Sequence, residues 1–111
     1  MDRNVFTVVK YFDSTNFNWE PNLDANMLFV ITVLRYCEKE FESRGYLMLN
    51  DVYEKLGLPK TRQGYVAGWV YDYKPEAMWS VFQLNSTDIG IRFRPVTDVF
   101  DILPKGVLID E

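Results

Sequence analysis

The chain has 111 residues, of which 48% are hydrophobic and 25% charged, and its formal net charge is −4. These values are typical of a globular protein and argue against disorder, and the length predicts one domain over residues 1–111. The chain contains a single cysteine, Cys37, and no histidine. This excludes an internal disulfide, a zinc site of the usual Cys/His kind and catalysis by a histidine base.

Targeting signals are absent from the sequence pattern. The first residues lack the basic region and apolar run of a signal peptide, and the longest apolar stretch, residues 27–34, is too short to span a bilayer. We therefore expect a cytoplasmic protein with no membrane partner. The negative net charge also disfavours long-range attraction to nucleic acid.

A strand and a long helix are the first predicted elements. Residues 5–12 are rich in Val, Phe, Thr and Tyr, which favours a strand. Asn22 or Asp24 can cap the helix that follows, and Gly45 is placed to end it in the left-handed conformation. The apolar side chains expected to face the core recur at helical spacing at Met27, Ile31, Leu34 and Phe41, with Val30 and Cys37 flanking them.

A short strand and short helices come next. Residues 46–49 suit a strand, and Asn50 or Asp51 can cap a brief helix over residues 52–56 that Gly57 ends. Thr61 can then cap a further turn over residues 62–66, while Gly64 and Gly68 indicate close approaches or special backbone angles.

The C-terminal half has the pattern of an antiparallel sheet. Apolar and polar residues alternate in residues 69–74 and 89–94, residues 78–84 form another strand, residues 85–88 its turn, and residues 99–103 a last strand. The predicted fold is therefore α+β, with one long N-terminal helix and short helices packed on a small antiparallel sheet.

The strand over residues 78–84 is apolar on both faces. Met78, Phe82 and Leu84 lie on one side, and Trp79 and Val81 on the other. A strand buried on one side does not need both sets. Either a loop or terminus covers Trp79 and Val81, or they form a contact patch.

Basic residues outnumber acidic ones, five to three, in residues 57–94. Arg92 and Arg94 share one face of a strand, where their positive charges repel each other unless an acidic group neutralises them. That group could be Asp72 or another cross-strand neighbour. Alternatively, it could belong to an acidic ligand or partner.

Motifs for catalysis are weak. The segment GLPKTRQG, residues 57–64, lacks the Gly-Lys-Ser/Thr ending of a phosphate loop, and no carboxylates stand at a spacing that indicates an acid–base pair. Cys37 is expected to be an inert buried thiol, since no neighbouring base in the sequence would activate it. We predict no enzyme activity, no catalytic residue, no metal and no cofactor.

Helix-turn-helix DNA binding is an alternative interpretation of the segment around Gly57. In that case Lys60 and Arg62 would contact phosphates. However, Tyr53 occupies the position where the close crossing of the two helices requires a small residue. Gln63 occupies a position where the second helix normally buries an apolar residue.

The segment from about residue 34 to residue 72, with a weaker echo to 103, resembles an uncharacterised family of small proteins from phages and prophages of Gram-positive bacteria. Its members share an aromatic-aliphatic strand, a short Asn-led helix ending in Leu-Gly, a Pro-basic-Thr turn and a Gly-Trp strand start. The matching residues here are Gly45, Leu49-Asn50, Val52-Tyr53, Leu56-Gly57, Pro59-Lys60-Thr61, Gly64 and Gly68-Trp69.

This resemblance implies where the protein comes from but no mechanism. It suggests a non-enzymatic phage accessory protein, in the cytoplasm of a host bacterium, that binds a host complex such as a defence system and inhibits it. A phage structural or assembly component is the alternative, and self-association is left open. We predict that the contact surface with a protein partner comprises Lys60, Arg62, Trp79, Val81, Arg92 and Arg94.

Overall fold

The computed structural model describes residues 5–101, and it has the α+β architecture predicted from the sequence. Three short 3-10 helices, Gln63–Tyr65, Pro75–Ala77 and Val99–Asp101, lie between or after the main elements. In chain order those elements are β1 (Val8–Phe12), α1 (Leu23–Arg44), β2 (Tyr46–Met48), α2 (Leu49–Leu56), β3 (Gly68–Val70), β4 (Trp79–Gln83) and β5 (Ile89–Phe93).

Helix α1 begins and ends where local sequence signals place it. The Asn22 side chain accepts a hydrogen bond from the Ala25 N–H at 2.9 Å. Gly45 has φ 84°, and its N–H donates to the Phe41 carbonyl at 2.8 Å. Glycine has no Cβ and adopts this left-handed conformation with little strain. The Asn22 cap and the Gly45 stop therefore confirm both predicted ends.

The buried stripe of α1 is rotated slightly from the one predicted. Val30 and Cys37 are fully buried, whereas Met27 and Ile31 are only partly buried. The centre of the stripe therefore lies on the residues expected to flank it. Leu34 and Phe41 are buried as expected.

Helix α2 corrects one prediction. It begins at Leu49, directly after β2, and no side chain caps it, so neither Asn50 nor Asp51 acts as the predicted cap. The reason is that both residues lie inside the first turn, where the Asn50 amide bonds to the Thr61 backbone instead. The predicted end at Gly57 is confirmed, with φ 79°.

Strands β1, β5 and β4 form an antiparallel three-stranded sheet in that order. Phe93 of β5 lies opposite Val8 on one side and Trp79 on the other. Because side chains alternate along a strand, these residues point to one face of the sheet, which packs on the main core.

Strands β2 and β3 form a separate two-stranded antiparallel sheet. Val96 joins it to the rest, since its N–H donates to the Gly68 carbonyl at 2.8 Å and its carbonyl accepts from the Gly68 N–H at 3.2 Å. A Cβ at Gly68 would collide with the Leu47 carbonyl oxygen, which confirms the predicted close approach.

The predicted strand over residues 69–74 is wrong beyond Val70. Strand β3 is buried on both faces: Trp69 packs in the main core, and Val70 packs with Val96 and Val99 in a smaller cluster. Tyr71 is 59% exposed, so it does not continue the apolar face of Trp69.

The strand predicted over residues 99–103 is also wrong where it can be judged. Val99–Asp101 is a 3-10 helix, anchored by the Val99 N–H on the Val66 carbonyl at 2.8 Å. Residues 102 and 103 lie outside the described residues.

Candidate protein-binding surface

Trp79 and Val81 lie on the inner face of the three-stranded sheet. They stand opposite Phe93 and Ile91, which are fully buried. Both side chains are partly buried against the main core, and the Trp79 ring meets the Trp69 ring edge-on at 5.2 Å between centroids. The two-faced strand is therefore explained in part by core packing.

A groove of about 350 Å³ runs between β4 and α1 beside these two side chains. Leu34 and Ile31 of α1 form its apolar wall, and Arg35 and Glu38 stand at its rim. No pattern in the sequence indicates this groove, because a helix and a strand some 45 positions apart in the chain meet there only in the folded state.

The outer face of the same sheet carries a stacked cation. Arg92 lies opposite Ser80 in the register, on the face away from the core, and is exposed. Its guanidinium lies 5.1 Å from the centroid of the Phe82 ring, a cation–π distance, and its Nη1 donates to the Ser80 hydroxyl at 3.5 Å.

Gly90 makes this arrangement possible. The Phe82 ring lies over Gly90, where a Cβ would collide with ring atoms. On the other side of Gly90 the register places Tyr11, which is 50% exposed. Two aromatic side chains thus flank a glycine next to Arg92, a feature that only the strand order reveals.

Arg94 extends this face beyond the end of β5. Its carbonyl accepts hydrogen bonds from the Trp69 indole N–H at 3.1 Å and the Tyr73 hydroxyl at 2.6 Å. These bonds hold the backbone in place while the side chain is exposed.

The ion pairs found among the side chains of residues 5–100 join Lys55 to Glu40 and Lys60 to Glu54, so neither Arg92 nor Arg94 has one there. Asp72 is not a cross-strand neighbour of either arginine, because β3 ends before it and pairs with β2.

Lys60 and Arg62 lie on the segment after α2, not on the three-stranded sheet. The Lys60 ammonium pairs with the Glu54 carboxylate at 3.3 Å, and both side chains are largely exposed. Arg62 is exposed as well. The six predicted contact residues are therefore divided among the inner face, the outer face and this segment.

The helix-turn-helix interpretation finds little support in this segment. Only the three-residue 3-10 helix Gln63–Tyr65 follows Gly57 before β3 begins, where a recognition helix would need several turns. The predicted role of Thr61 in starting this turn is confirmed, since its hydroxyl accepts from the Gly64 N–H at 2.9 Å.

Cys37 is a fully buried thiol, as predicted. Burial raises its pKa from 9.0 to about 12, although the charge of Lys55 acts in the opposite direction. The thiol therefore stays protonated at neutral pH, and a protonated thiol is a poor nucleophile. No group of three or more Cys, Asp or Glu side chains among residues 5–100 is arranged to hold a metal ion.

A sequence model of the family of unknown function DUF6353 matches residues 2–101. No curated protein and no solved structure matches the chain significantly. Within the part of the chain that the structure describes, no helix has the length and apolar character needed to cross a membrane.

Proposed function

We propose that this chain, which belongs to the family of unknown function DUF6353, acts without catalysis by binding a protein partner. The observation that carries the proposal is the outer sheet face defined by Arg92, Arg94, Phe82 and Tyr11. This outer face holds two cations with no ion pair within the described residues, next to exposed aromatic surface.

The chemistry of the outer face specifies the partner. Tyr, Phe and Arg are enriched where proteins bind one another. An arginine stacked on a ring is positioned to donate hydrogen bonds to a carboxylate. The chain as a whole is acidic, with a net charge of −4, so the two arginines are locally distinctive. The partner we propose offers carboxylates beside an apolar contact.

The biological setting we propose follows the resemblance of residues 34–72 to proteins of phages and prophages of Gram-positive bacteria. The chain would then act in the host cytoplasm as an accessory protein, and the partner would be a host complex, such as a defence system, that it inhibits. This resemblance, together with the outer face, supports the proposal.

A capture experiment tests the proposal. The purified chain is used as bait in lysate of a Gram-positive host, and retained proteins are quantified by mass spectrometry. We expect a host protein that is retained by the wild type and lost with Arg92→Glu, because charge reversal repels the carboxylates of the partner.

Lys39→Glu is the matched control. It makes the same change in charge at an exposed position on α1, away from the outer face. Retention of the same protein by wild type, Arg92→Glu and Lys39→Glu alike would contradict the proposal.

A role in phage assembly is a second candidate, which the outer edge of β4 favours, since no strand of the described residues pairs with it. Strand β4 is an outer strand of its sheet, and such edges pair readily with other chains. In infected cells the assembly role predicts retention of phage particle proteins, whereas the inhibitor role predicts retention of a host protein.

A further inference from the structure

The two outer strands of the three-stranded sheet, β1 and β4, differ in how they protect the edges that no other strand of the described residues covers. Proteins commonly guard such edges with charges, prolines or charged side chains that point inward, because unpaired N–H and C=O groups recruit other strands. Strand β1 has this protection: Lys10 lies opposite buried Ile91, with its ammonium 5.3 Å from the centroid of the Tyr53 ring. The sequence of β4, WSVFQ, contains no charge, proline or glycine.

The register fixes which backbone groups of β4 face outward. The Leu84 N–H donates to the Asp88 carbonyl at 2.9 Å, so even-numbered residues of this hairpin bond to β5. No strand within residues 5–101 pairs with the opposite edge. The residues whose N–H and C=O groups point to that edge are Trp79, Val81 and Gln83.

We propose that two copies of the chain pair antiparallel through β4, about a two-fold axis at Val81. Trp79 of one copy then lies opposite Gln83 of the other, and Ser80 opposite Phe82. In this register the odd-numbered residues, whose N–H and C=O groups point to the edge, exchange backbone hydrogen bonds with the other copy. On the outer face the large Phe82 meets the small Ser80, which relieves crowding.

The rim of the groove argues for a second copy rather than an unrelated peptide. Arg35 and Glu38 both line the groove beside β4, and neither forms an ion pair within the described part of the chain. A two-fold axis brings the two α1 segments together in opposite directions, which lets Arg35 of one copy pair with Glu38 of the other, twice. One surface thus supplies both charges of a self-complementary contact.

This dimer does not depend on the proposed capture of a partner. It uses the backbone edge of β4, and the partner uses the outer face around Arg92. The two surfaces share Phe82, but the dimer is tested at Val81, Arg35 and Glu38 and the partner at Arg92, so each proposal can fail while the other holds. The dimer would join two three-stranded sheets into one sheet of six strands.

Disulfide trapping tests the register. In Val81→Cys the two introduced thiols would face each other across the axis at a Cα separation of about 5.5 Å, within the range that a disulfide spans. Ser80→Cys is the matched control, since its thiol is more exposed but lies diagonal to its counterpart. Native Cys37 is buried and should not react.

Under mild oxidation we expect Val81→Cys to form a covalent dimer about tenfold faster than Ser80→Cys, because the diagonal pair lies beyond easy disulfide reach. Equal rates, as random collisions would give, or a faster reaction of Ser80→Cys, would overturn the proposed pairing.

Sedimentation equilibrium tests the association itself. The wild type should dimerise with concentration, Arg35→Glu or Glu38→Arg alone should weaken the dimer, and the double variant Arg35→Glu/Glu38→Arg should restore it. These exposed or rim positions leave the core intact. A wild-type chain that stays monomeric at every accessible concentration would overturn the proposal. A double variant that dimerises more weakly than either single variant would overturn it as well.

Discussion

Two regions of this protein are held together by different physics. The aromatic junction, formed by Trp69, Trp79 and Phe93, joins the two sheets through apolar contact, with ring centroids 5.2 to 6.3 Å apart. The asparagine clasps, formed by the buried Asn16, Asn26 and Asn50, hold loops through side-chain hydrogen bonds to the backbone.

Each asparagine clasp uses both ends of its amide. Asn50 donates to the Thr61 carbonyl at 2.8 Å and accepts from the Thr61 N–H at 2.9 Å. Asn26 donates to the Glu20 and Thr87 carbonyls and accepts from the Glu20 N–H. A carboxylate or a smaller side chain could not make these bonds. The stability of the clasps therefore depends on the identity of the residue, whereas that of the junction depends mainly on side-chain volume.

The largest effect is expected in the aromatic junction. Trp69→Ala should lower the free energy of unfolding by about 3–5 kcal/mol, because it removes a fully buried indole and leaves a cavity between the sheets. It also leaves the Arg94 carbonyl with one donor fewer. Chemical denaturation followed by far-UV circular dichroism measures the loss.

Trp79→Ala is the matched comparison, since the same side chain is removed where it is only partly buried. A smaller loss, of about 1–2 kcal/mol, is expected. If the two substitutions destabilise equally, the junction is not centred on Trp69.

The asparagine clasps should show the next largest effect, together with a strong coupling. Asn50→Ala should cost about 1–3 kcal/mol, because it leaves the Thr61 N–H and carbonyl without their partner. Gly64→Ala should disturb the same clasp, since a Cβ there would collide with the Asn50 side-chain oxygen. Urea unfolding of both single variants and the double variant measures the coupling.

The double variant Asn50→Ala/Gly64→Ala should lose clearly less stability than the two single losses combined, because removing the amide makes room for the Cβ. Additive losses would show that Gly64 acts independently of the clasp.

Alkaline pH should weaken the core without any substitution. Burial raises the pKa of Tyr53 from 10.0 to about 12, and that of Cys37 from 9.0 to about 12. Between those values the unfolded chain loses protons that the folded chain keeps, so stability is full below about pH 9 and falls towards pH 12. Urea unfolding across this range measures the decline.

Tyr53→Phe should make that decline shallower, because it removes one of the two buried groups whose pKa is raised. A decline that is identical in the wild type and in this variant would exclude Tyr53 as a source.

The smallest effect is expected at the exposed ion pair of Lys60 and Glu54, which lies outside both regions. Lys60→Ala should change stability by no more than about 0.5 kcal/mol, since solvent screens such pairs. Lys55→Ala should have a larger effect, because Lys55 is less exposed, pairs with Glu40 at 3.3 Å and lies over the Tyr36 ring at 5.7 Å. Thermal unfolding of both variants compares their stability. A larger loss of stability in Lys60→Ala than in Lys55→Ala would contradict this expectation.

Local signals in the sequence determined both ends of α1, the end of α2 and several strands. Asn22 and Gly45 bound α1, and Gly57 ends α2, because capping and left-handed geometry involve only residues a few positions apart. The alternation in residues 89–94 likewise predicted β5 and the outward direction of Arg92, since side-chain direction in a strand follows from its pleat.

Tertiary structure alone decided which elements meet. The pairing of β3 with β2 ended the strand at Val70, and the antiparallel register put Trp79 and Arg92 on opposite faces of one sheet. It also left β4 at an edge and turned Asn50 from an expected cap into a clasp on Thr61. These outcomes depend on contacts between distant parts of the chain, and no pattern within a few residues records which distant backbone groups will satisfy one another.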